Sequence, residues 1–504
     1  MTLEYPVAGT WTAGQSSREI RSPFDDSVIA QVPAFTADDV DAAVGVSHTA
    51  MTEEPLATHE RAAILDRAAA LLTERLEQIA TDLAKEAAKP IKQARVEVQR
   101  AVSTLQFCAA EARTFAGELL PMDAAAAGVD HLGFVLRVPV GVVGAITPFN
   151  FPLNLVAHKV GPAIAAGCAV VNKPASQTPL SALALAKALF DAGLPMEYLS
   201  VVPGPGAVIG DALVRNDDVA VISFTGSPEV GWAIRAEAPR KRVGLELGNN
   251  SPLIIRADGD WRAAAGAVRL AGFSHAGQSC ISTQRILVED SIKEDFVAAL
   301  VDQVETLVVG DPLDEATDVS ALIDESNTDR VRTWIDDAVT GGARVAIGGD
   351  STPEGHVRPT VLVDADPGDD VCANEVFGPV VVVRGFADFD DALAEANDTR
   401  YGLQAAIFTS NIDAAMRAAR TLDFGGVLIN EVPTWRADHM PYGGLRDSGN
   451  TREGPGWAIR ELTEERLVIA PGQVARGRYA ITLRVRDEIR GREAGSSRIY
   501  VELW

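Results

Sequence analysis

At 504 residues the chain exceeds what a single hydrophobic core organises, so at least two domains are expected. With 47% apolar and 23% charged residues it has ordinary globular composition, which argues against wholesale disorder. A net charge of −25 opposes nonspecific binding to DNA or anionic membranes, so an anionic cofactor needs locally arranged donors.

The chain opens Met1-Thr2-Leu3-Glu4-Tyr5-Pro6, with no basic segment leading into an apolar one. No run of roughly 18 apolar residues lacks charges or helix breakers, so no membrane span is expected. Cys108, Cys168, Cys280 and Cys372 form no CxxC pair. A metal site or disulfide framework is therefore not expected, and the pattern suits a reducing cytoplasm.

Residues 7–32 carry Trp11, turn residues and the strand-like Val28–Val32. Alanine-rich amphipathic stretches over about 38–52, 58–88 and 91–117 predict helices. His131–Val140 alternates as a strand, with Phe134, Leu136 and Val138 on one face. From 141 onward strands and helices alternate. The strands are Val142–Thr147, Ala169–Asn172, Leu199–Val202, Val219–Phe224 and Val243–Leu247; the helices span about 153–166, 178–193, 205–215 and 227–237. This βαβα rhythm with apolar strands predicts a doubly wound parallel sheet.

A second series follows Glu246, with strands Leu253–Arg256, Arg285–Val288, Val361–Val363, Val380–Val383 and Ala406–Thr409. A domain boundary near Leu247–Ser251 would put Glu246 and Cys280 beside an interdomain cleft, a preferred place for ligands. At the C-terminal end, Tyr479–Arg486 and Arg498–Leu503 flank the turn-rich Gly491–Ser497, the pattern of a hairpin or sheet-edge extension.

Three residues stand out chemically. Cys280, in Gly277-Gln278-Ser279-Cys280, has small polar neighbours unlike those of a core cysteine, although a lone cysteine is more often a buried hydrophobe. Glu246 ends the apolar run Val243-Gly244-Leu245-Glu246-Leu247, where a charge is costly unless exposed or employed. Asn150, in Pro148-Phe149-Asn150-Phe151-Pro152, offers a donor for a developing oxyanion. Nucleophile, base and oxyanion donor are the parts covalent chemistry at a carbonyl requires. Ser223–Gly231 reads as a strand–turn–helix connection, with Thr225 or Ser227 capping a helix whose N-terminus suits a pyrophosphate. Lys173 ends a predicted parallel strand, where ligands of open α/β sheets collect.

Together these motifs resemble the aldehyde dehydrogenase superfamily. The matching elements are Pro148–Pro152, Lys173-Pro174, Phe224-Thr225-Gly226-Ser227, Leu245-Glu246-Leu247-Gly248, Gly277–Cys280, Glu375-Val376-Phe377-Gly378-Pro379 and Pro441-Tyr442-Gly443-Gly444. The resemblance implies an α/β fold of two doubly wound domains plus a β-strand oligomerisation arm. Residues 1–130 and 141–246 would bind NAD or NADP, and 247–440 would form the catalytic domain. Residues 131–140 and 470–504 would form the arm, with 441–469 returning to the cofactor domain. It further implies oxidation of a small aldehyde to its carboxylate by a homodimer or homotetramer. Cys280 would form a thiohemiacetal and then a thioester, with Asn150 and the Cys280 N–H holding the oxyanion and Glu246 activating the hydrolytic water. Lys173, Gly226 and Ser227, Glu375 and Phe377 would contact the cofactor's adenosine ribose, pyrophosphate, nicotinamide ribose and nicotinamide in turn.

The chain departs from the family pattern at several points. Gly248-Asn249-Asn250 stands where Gly-Gly-Lys is usual, and Ser176 stands where NAD-preferring members carry a glutamate, which leaves NADP open. Gly456 occupies the position of a second proton-relay glutamate, and Ser279 replaces the arginine of phosphate-aldehyde members. His158 and Trp435–His439 are expected at the substrate mouth, with Arg436 either receiving an anionic tail or forming a structural ion pair. The nearest-looking branch is that of lactaldehyde and phosphonoacetaldehyde dehydrogenases. CoA-acylating relatives usually lack the base, so Glu246 argues against that alternative, and the intact motifs argue against a noncatalytic protein.

Overall fold

The computed structural model describes residues 2–471 and, as backbone, the strands 473–475, 478–487 and 492–501. Five parallel strands form one sheet, in the order Arg242–Glu246, Val219–Thr225, Val142–Ile146, Val170–Lys173, Leu199–Val201. Their continuous burial explains the unbroken apolar runs: a parallel sheet covered on both faces leaves no polar side. Helices Thr58–Glu74, Ile91–Thr114, Asn154–Ala166 and Leu180–Asp191 pack in the same core.

Seven strands form the second sheet, in the order Arg344–Ile347, Thr360–Val363, Val380–Phe386, Arg285–Glu289, Pro252–Ile255, Gln404–Phe408, Gly426–Ile429. All pairs are parallel except the one made by Arg344–Ile347. The sequence pattern misses both edge strands, Arg344–Ile347 and Gly426–Ile429. Each is only half covered, so neither shows the apolar run of a central strand. No helix among the described residues is long and apolar enough to cross a membrane.

Other differences have local causes. The stretch expected as one helix over 58–88 is two, Thr58–Glu74 and Leu76–Ala87, separated at Arg75, whose guanidinium pairs with Asp191 at 2.7 Å. The stretch 205–215 becomes a wide turn at Gly206–Gly210 followed by the short helix Asp211–Arg215, because Pro205 and two glycines weaken the first turn. His131–Pro139 pairs antiparallel with Thr463–Pro471, so this partner strand begins at Thr463 and not near 470. Near its start, Glu464 and Glu465 pair with Arg242 and Arg137 at 2.7 and 2.5 Å. Beyond it Arg478–Asp487 pairs antiparallel with Arg492–Val501, so 492–497 is strand where a turn was expected. Gly491 and Leu503 lie outside the described residues.

The strand registers bring the site together. Thr225 lies opposite Glu246, Phe224 opposite Ile146 and Ile146 opposite Lys173, so the carboxyl ends of four strands emerge along one edge. The five-stranded sheet ends at Glu246 and the seven-stranded one begins at Pro252. The chain then returns to the first sheet late, when Asn450 brackets the edge strand. Its side chain accepts from Leu245 N and donates to Val243 O, at 2.9 and 3.0 Å. Gly449, at φ 130°, must be glycine there, since a Cβ would lie 2.0 Å from Leu245 O.

A buried ion pair anchors the loop after Val142–Ile146. Lys89 pairs with Glu97, each side chain 1% exposed. Lys89 Nζ also donates to Asn150 O at 2.6 Å, and Glu97 Oε1 accepts from Leu153 N at 2.9 Å and Asn154 N at 3.2 Å. Removing one partner strands the other charge in the core. Lys89→Met is expected to cost about 3–5 kcal/mol and to lower the thermal unfolding midpoint. Lys89→Met/Glu97→Gln should recover part of that loss, as read by scanning calorimetry of the three proteins.

Candidate active site

One cleft of about 640 Å3 between the two sheets is lined by Asn150, Lys173, Ser176, Gly226, Ser227, Glu246, Cys280, Glu375 and Phe377. The structure thus brings every candidate site residue to one place. The cleft lies within the usual size range of ligand sites, about 300–1,000 Å3.

Cys280 follows a strained turn. His275, Ala276 and Gly277 take φ of 50°, 54° and 71°, a left-handed run that non-glycine residues adopt only when packing forces it. Gly277 is forced by contact, since a Cβ would meet Gly378 O at 2.0 Å. This close approach ties the cysteine loop to the loop bearing Glu375 and Phe377. Gln278, fully buried, accepts from Asn150 Nδ2 through its carbonyl at 3.0 Å. The Asn150 amide is thereby aimed at the cysteine loop from the side, while Lys89 holds its carbonyl. The Cys280 N–H finds no acceptor among the described residues, which leaves it free for an oxyanion.

Cys280 Sγ lies 2.9 Å from Tyr442 Oη. Burial pushes the thiol up to about 12, partly offset by the Tyr442 hydrogen bond. Glu246 is 3% exposed, and neither carboxyl oxygen has a hydrogen-bond partner among the described residues. Burial raises it well above the usual carboxylate range, and the neighbouring Glu453 adds to that. A desolvated carboxyl next to a second acid holds a proton more tightly than an ordinary carboxylate and, once ionised, is a stronger base.

Behind Glu246 lies a charge cluster the sequence reading did not find. Glu453 pairs with Lys159 at 3.2 Å and Arg436 at 3.1 Å. Burial opposes its charge, but Lys159 and Arg436 hold Glu453 down at about 2. Lys159 was readable: it is the one lysine in Asn154–Ala166, a helix buried along its whole length. Glu453 had no such signal, although the expected relay position three residues later is Gly456.

His158 is not at a mouth. It is 2% exposed, its Nε2 lies 3.2 Å from Asp438, and Arg436 Nη2 approaches it at 3.1 Å. Its helix is buried on every side, which the alternation of sequence did not reveal. Arg436 stacks 3.7 Å from the Tyr442 ring centroid and its Nε is unpartnered. Arg100, missed by sequence, joins Asp438 through Nε and Nη2, at 3.2 and 2.8 Å, with a quarter of its side chain exposed. Trp435 is half exposed, and His439 stacks on Phe107 with centroids 4.7 Å apart.

On the cofactor side, Lys173 is 8% exposed, and although its carbonyl accepts from Thr147 N, its ammonium makes no hydrogen bond among the described residues. Burial, with Arg18 nearby, lowers it to about 8. A buried, unpartnered ammonium facing a cleft is what an anionic ligand would satisfy. Ser227 caps Pro228–Glu237, accepting from Val230 N. Glu375 accepts from Asn249 N at 3.0 Å, and burial raises it to about 7. Phe377, at φ 47°, packs edge-on against Phe149 at 5.8 Å. Asn249 and Asn250 support this loop from within, donating to Gln404 O and Cys372 O at 3.1 and 3.0 Å. A cation, a helix N-terminus and a carboxylate spaced along one cleft fit a dinucleotide's phosphates and ribose hydroxyls.

Comparison with known proteins agrees with this geometry. The sequence profile of the aldehyde dehydrogenase family matches residues 11–468. The 3-sulfolactaldehyde dehydrogenase of Priestia aryabhattai is 43% identical over 463 residues, 92% of this chain and 97% of the relative. Aldehyde dehydrogenase 21 from Physcomitrella patens, solved with its reaction product succinate, superposes with a TM-score of 0.90 at 36% identity over 93% of this chain and 98% of its own. The glyceraldehyde-3-phosphate dehydrogenase GapN of Methanocaldococcus jannaschii, complexed with NADP, gives 0.87 at 37% identity over 91% of this chain and 100% of its own. The chain belongs to the aldehyde dehydrogenase family and is an NAD(P)-dependent enzyme that oxidises an aldehyde to its carboxylate.

Proposed function

We propose that the substrate is a small aldehyde carrying an anionic group, oxidised at Cys280 and released by hydrolysis. The observation that carries the reaction is the convergence of Cys280, Asn150 and Glu246 on one cleft with Lys173, Ser227 and Glu375. The Cys280 thiolate adds to the aldehyde carbon, and the oxyanion of the thiohemiacetal lies between the Asn150 amide and the Cys280 N–H. Bound NAD(P)+ supplies the hydride acceptor. Glu246 then takes a proton from the water that attacks the resulting thioester, and its desolvated carboxyl is the base suited to that step.

Lys173 holds the adenosine ribose, Gly226 and Ser227 the pyrophosphate, Glu375 the nicotinamide ribose, and Phe377 packs near the nicotinamide. Ser176 puts no negative charge against a 2′-phosphate, and Arg18 adds a second cation beside Lys173, so NADP is accepted as well as NAD.

The anionic tail rests on the path leading away from the thiol. From Cys280 it runs through Tyr442, Arg436, His158 and Asp438 to Arg100. Both arginines are ion-paired, Arg436 with Glu453 and Arg100 with Asp438, but Arg436 is 5% exposed and Arg100 25%, so Arg100 is the guanidinium a substrate can reach. The relatives above are named for a sulfonated aldehyde and a phosphorylated one, and one holds a dicarboxylate product.

In this reading the unit built on the five-stranded sheet, 2–130 with 141–246 and 441–462, holds the cofactor, 247–440 holds the thiol, and Thr463–Pro471 belongs to the arm with 131–139. Strand Thr463–Pro471 leaves Leu467 and Ile469 about half exposed on an open edge, which a second copy would cover. The buried free thiols of Cys108, Cys168 and Cys372 suit a reducing cytoplasm.

Measurements of turnover, pH dependence, substrate preference and assembly test this reading. Cys280→Ala should abolish turnover, and Glu246→Gln should still reduce NAD(P)+ in one rapid turnover while kcat falls by about 10²–10⁴. Because burial raises Glu246, the wild-type kcat should climb with pH above the range in which an ordinary carboxylate ionises, a limb Glu246→Gln loses. Arg100→Ala should raise KM for a carboxylate- or sulfonate-bearing aldehyde by about ten- to hundredfold and leave that for propionaldehyde unchanged. Light scattering of the purified chain should give a dimer or tetramer, and Leu467→Glu/Ile469→Glu should shift it toward monomer.

A further inference from the structure

We propose that Tyr442 is a further catalytic residue, whose hydroxyl donates a hydrogen bond to the Cys280 sulfur whenever that sulfur carries negative charge. The contact is direct, 2.9 Å between Oη and Sγ, and the hydroxyl has no other partner among the described residues. This inference rests on reading Cys280 as the nucleophile.

The ring is fixed in the pose that makes this contact. Tyr442 is 3% exposed. Its N–H donates to Glu453 O at 3.1 Å, and the Glu453 N–H donates back to Tyr442 O at 2.6 Å. The Arg436 guanidinium covers one face of the ring at 3.7 Å, and Leu403 and Ile281 pack with it. Arg436 is in turn clamped by Glu453, so the backbone ladder and the stacked cation share one anchor. Glu453 thereby reaches the thiol through Tyr442 as a positioning residue.

The donor's direction follows from chemistry. Burial raises the Tyr442 phenol well above its usual value, so it keeps its proton throughout the working pH range. A phenol O–H is a strong donor and a thiolate a charged acceptor, a pairing worth more than the S–H to phenol alternative. The stacked guanidinium draws electron density from the ring and sharpens the donor.

The hydroxyl is useful twice. The thiol first loses its proton to solvent, and Tyr442 holds the negative sulfur. On attack a sulfur electron pair forms the C–S bond, the carbonyl pair moves to oxygen, and the Tyr442 bond to sulfur weakens. When water has added to the thioester and the tetrahedral adduct collapses, the C–S bond breaks and its electron pair returns to sulfur, where the same hydroxyl receives it. Tyr442 neither gives up nor gains a proton at any step.

The test is the alkylation rate of Cys280 by iodoacetamide, located by peptide mapping, in the full-length wild type and Tyr442→Phe between pH 7 and 10. With the wild-type thiol near 12, its rate should rise about tenfold per pH unit with no plateau. Tyr442→Phe should run parallel and about tenfold slower, the equivalent of roughly one pKa unit, with kcat reduced by a similar factor and the unfolding midpoint little changed. Tyr442→Met, which also lacks the donor, should reproduce the slowing without the stacked ring. Equal or faster alkylation in both variants would overturn the proposal, because the hydroxyl would then only shield the thiol. Alkylation reads the sulfur itself, so an error in assigning Cys280 as nucleophile would show separately, as turnover by Cys280→Ala.

Discussion

The site depends on one costly choice: a carboxyl group buried in the cleft of the Cys280 thiol with no hydrogen bond among the described residues to hold it. Glu246 sits at the end of an apolar strand, 3% exposed, and both its oxygens are unpartnered among the described residues. Desolvation alone moves such a group far toward its neutral form. The surroundings moderate the shift without satisfying the group, since Lys159, Arg436 and Arg452 act on it from a distance while Glu453 opposes them. The result is a carboxyl that ionises readily only when water in the cleft can carry its proton away, and that is then a strong proton acceptor. A solvated or salt-bridged glutamate in the same place would stay ionised and be a weaker acceptor.

Holding that arrangement requires rigidity from two directions. From the first sheet, the Lys89–Glu97 pair fixes the Asn150 loop and the start of Asn154–Ala166. From the second, the contact of Gly277 with Gly378 binds the thiol loop to the cofactor loop, and Asn249 and Asn250 brace the latter from below. The returning segment closes the arrangement, since Asn450 and Gly449 lie on the strand that ends in Glu246 and deliver Glu453 and Tyr442 alongside. Each charged partner behind the site is therefore also part of the frame. Substitution at Glu453 or Arg436 would change geometry and electrostatics together.

Much of the fold was legible in order and type. Parallel strands buried on both faces carry continuous apolar runs, and these mark the central members of both sheets. Edge strands such as Arg344–Ile347 and Gly426–Ile429 carry mixed sequence and were not. Thr463–Pro471 begins with three charged residues, and only its ladder with His131–Pro139 makes it a strand. The nine candidates could be picked out because each sits in a short motif a few residues long, such as Pro148–Pro152 around Asn150 or Gly277–Cys280. The boundary near Leu247–Ser251 pointed to a cleft beside Glu246 and Cys280, but not to its other walls, because Asn150 and Glu375 are brought to it only by folding.

The sequence by itself determined the element rhythm and the two sheets and singled out Cys280, Glu246 and Asn150 as candidates, because these follow from local periodicity and from motifs a few residues long. It could not determine what those groups feel. Whether Arg436 meets a substrate or Glu453, whether His158 faces solvent or Asp438, and whether the thiol has a donor beside it depend on residues hundreds of positions apart meeting across a buried interface. Desolvation, orphaned hydrogen bonds and stacked charges are properties of such meetings. They arise only when tertiary structure removes water from around them.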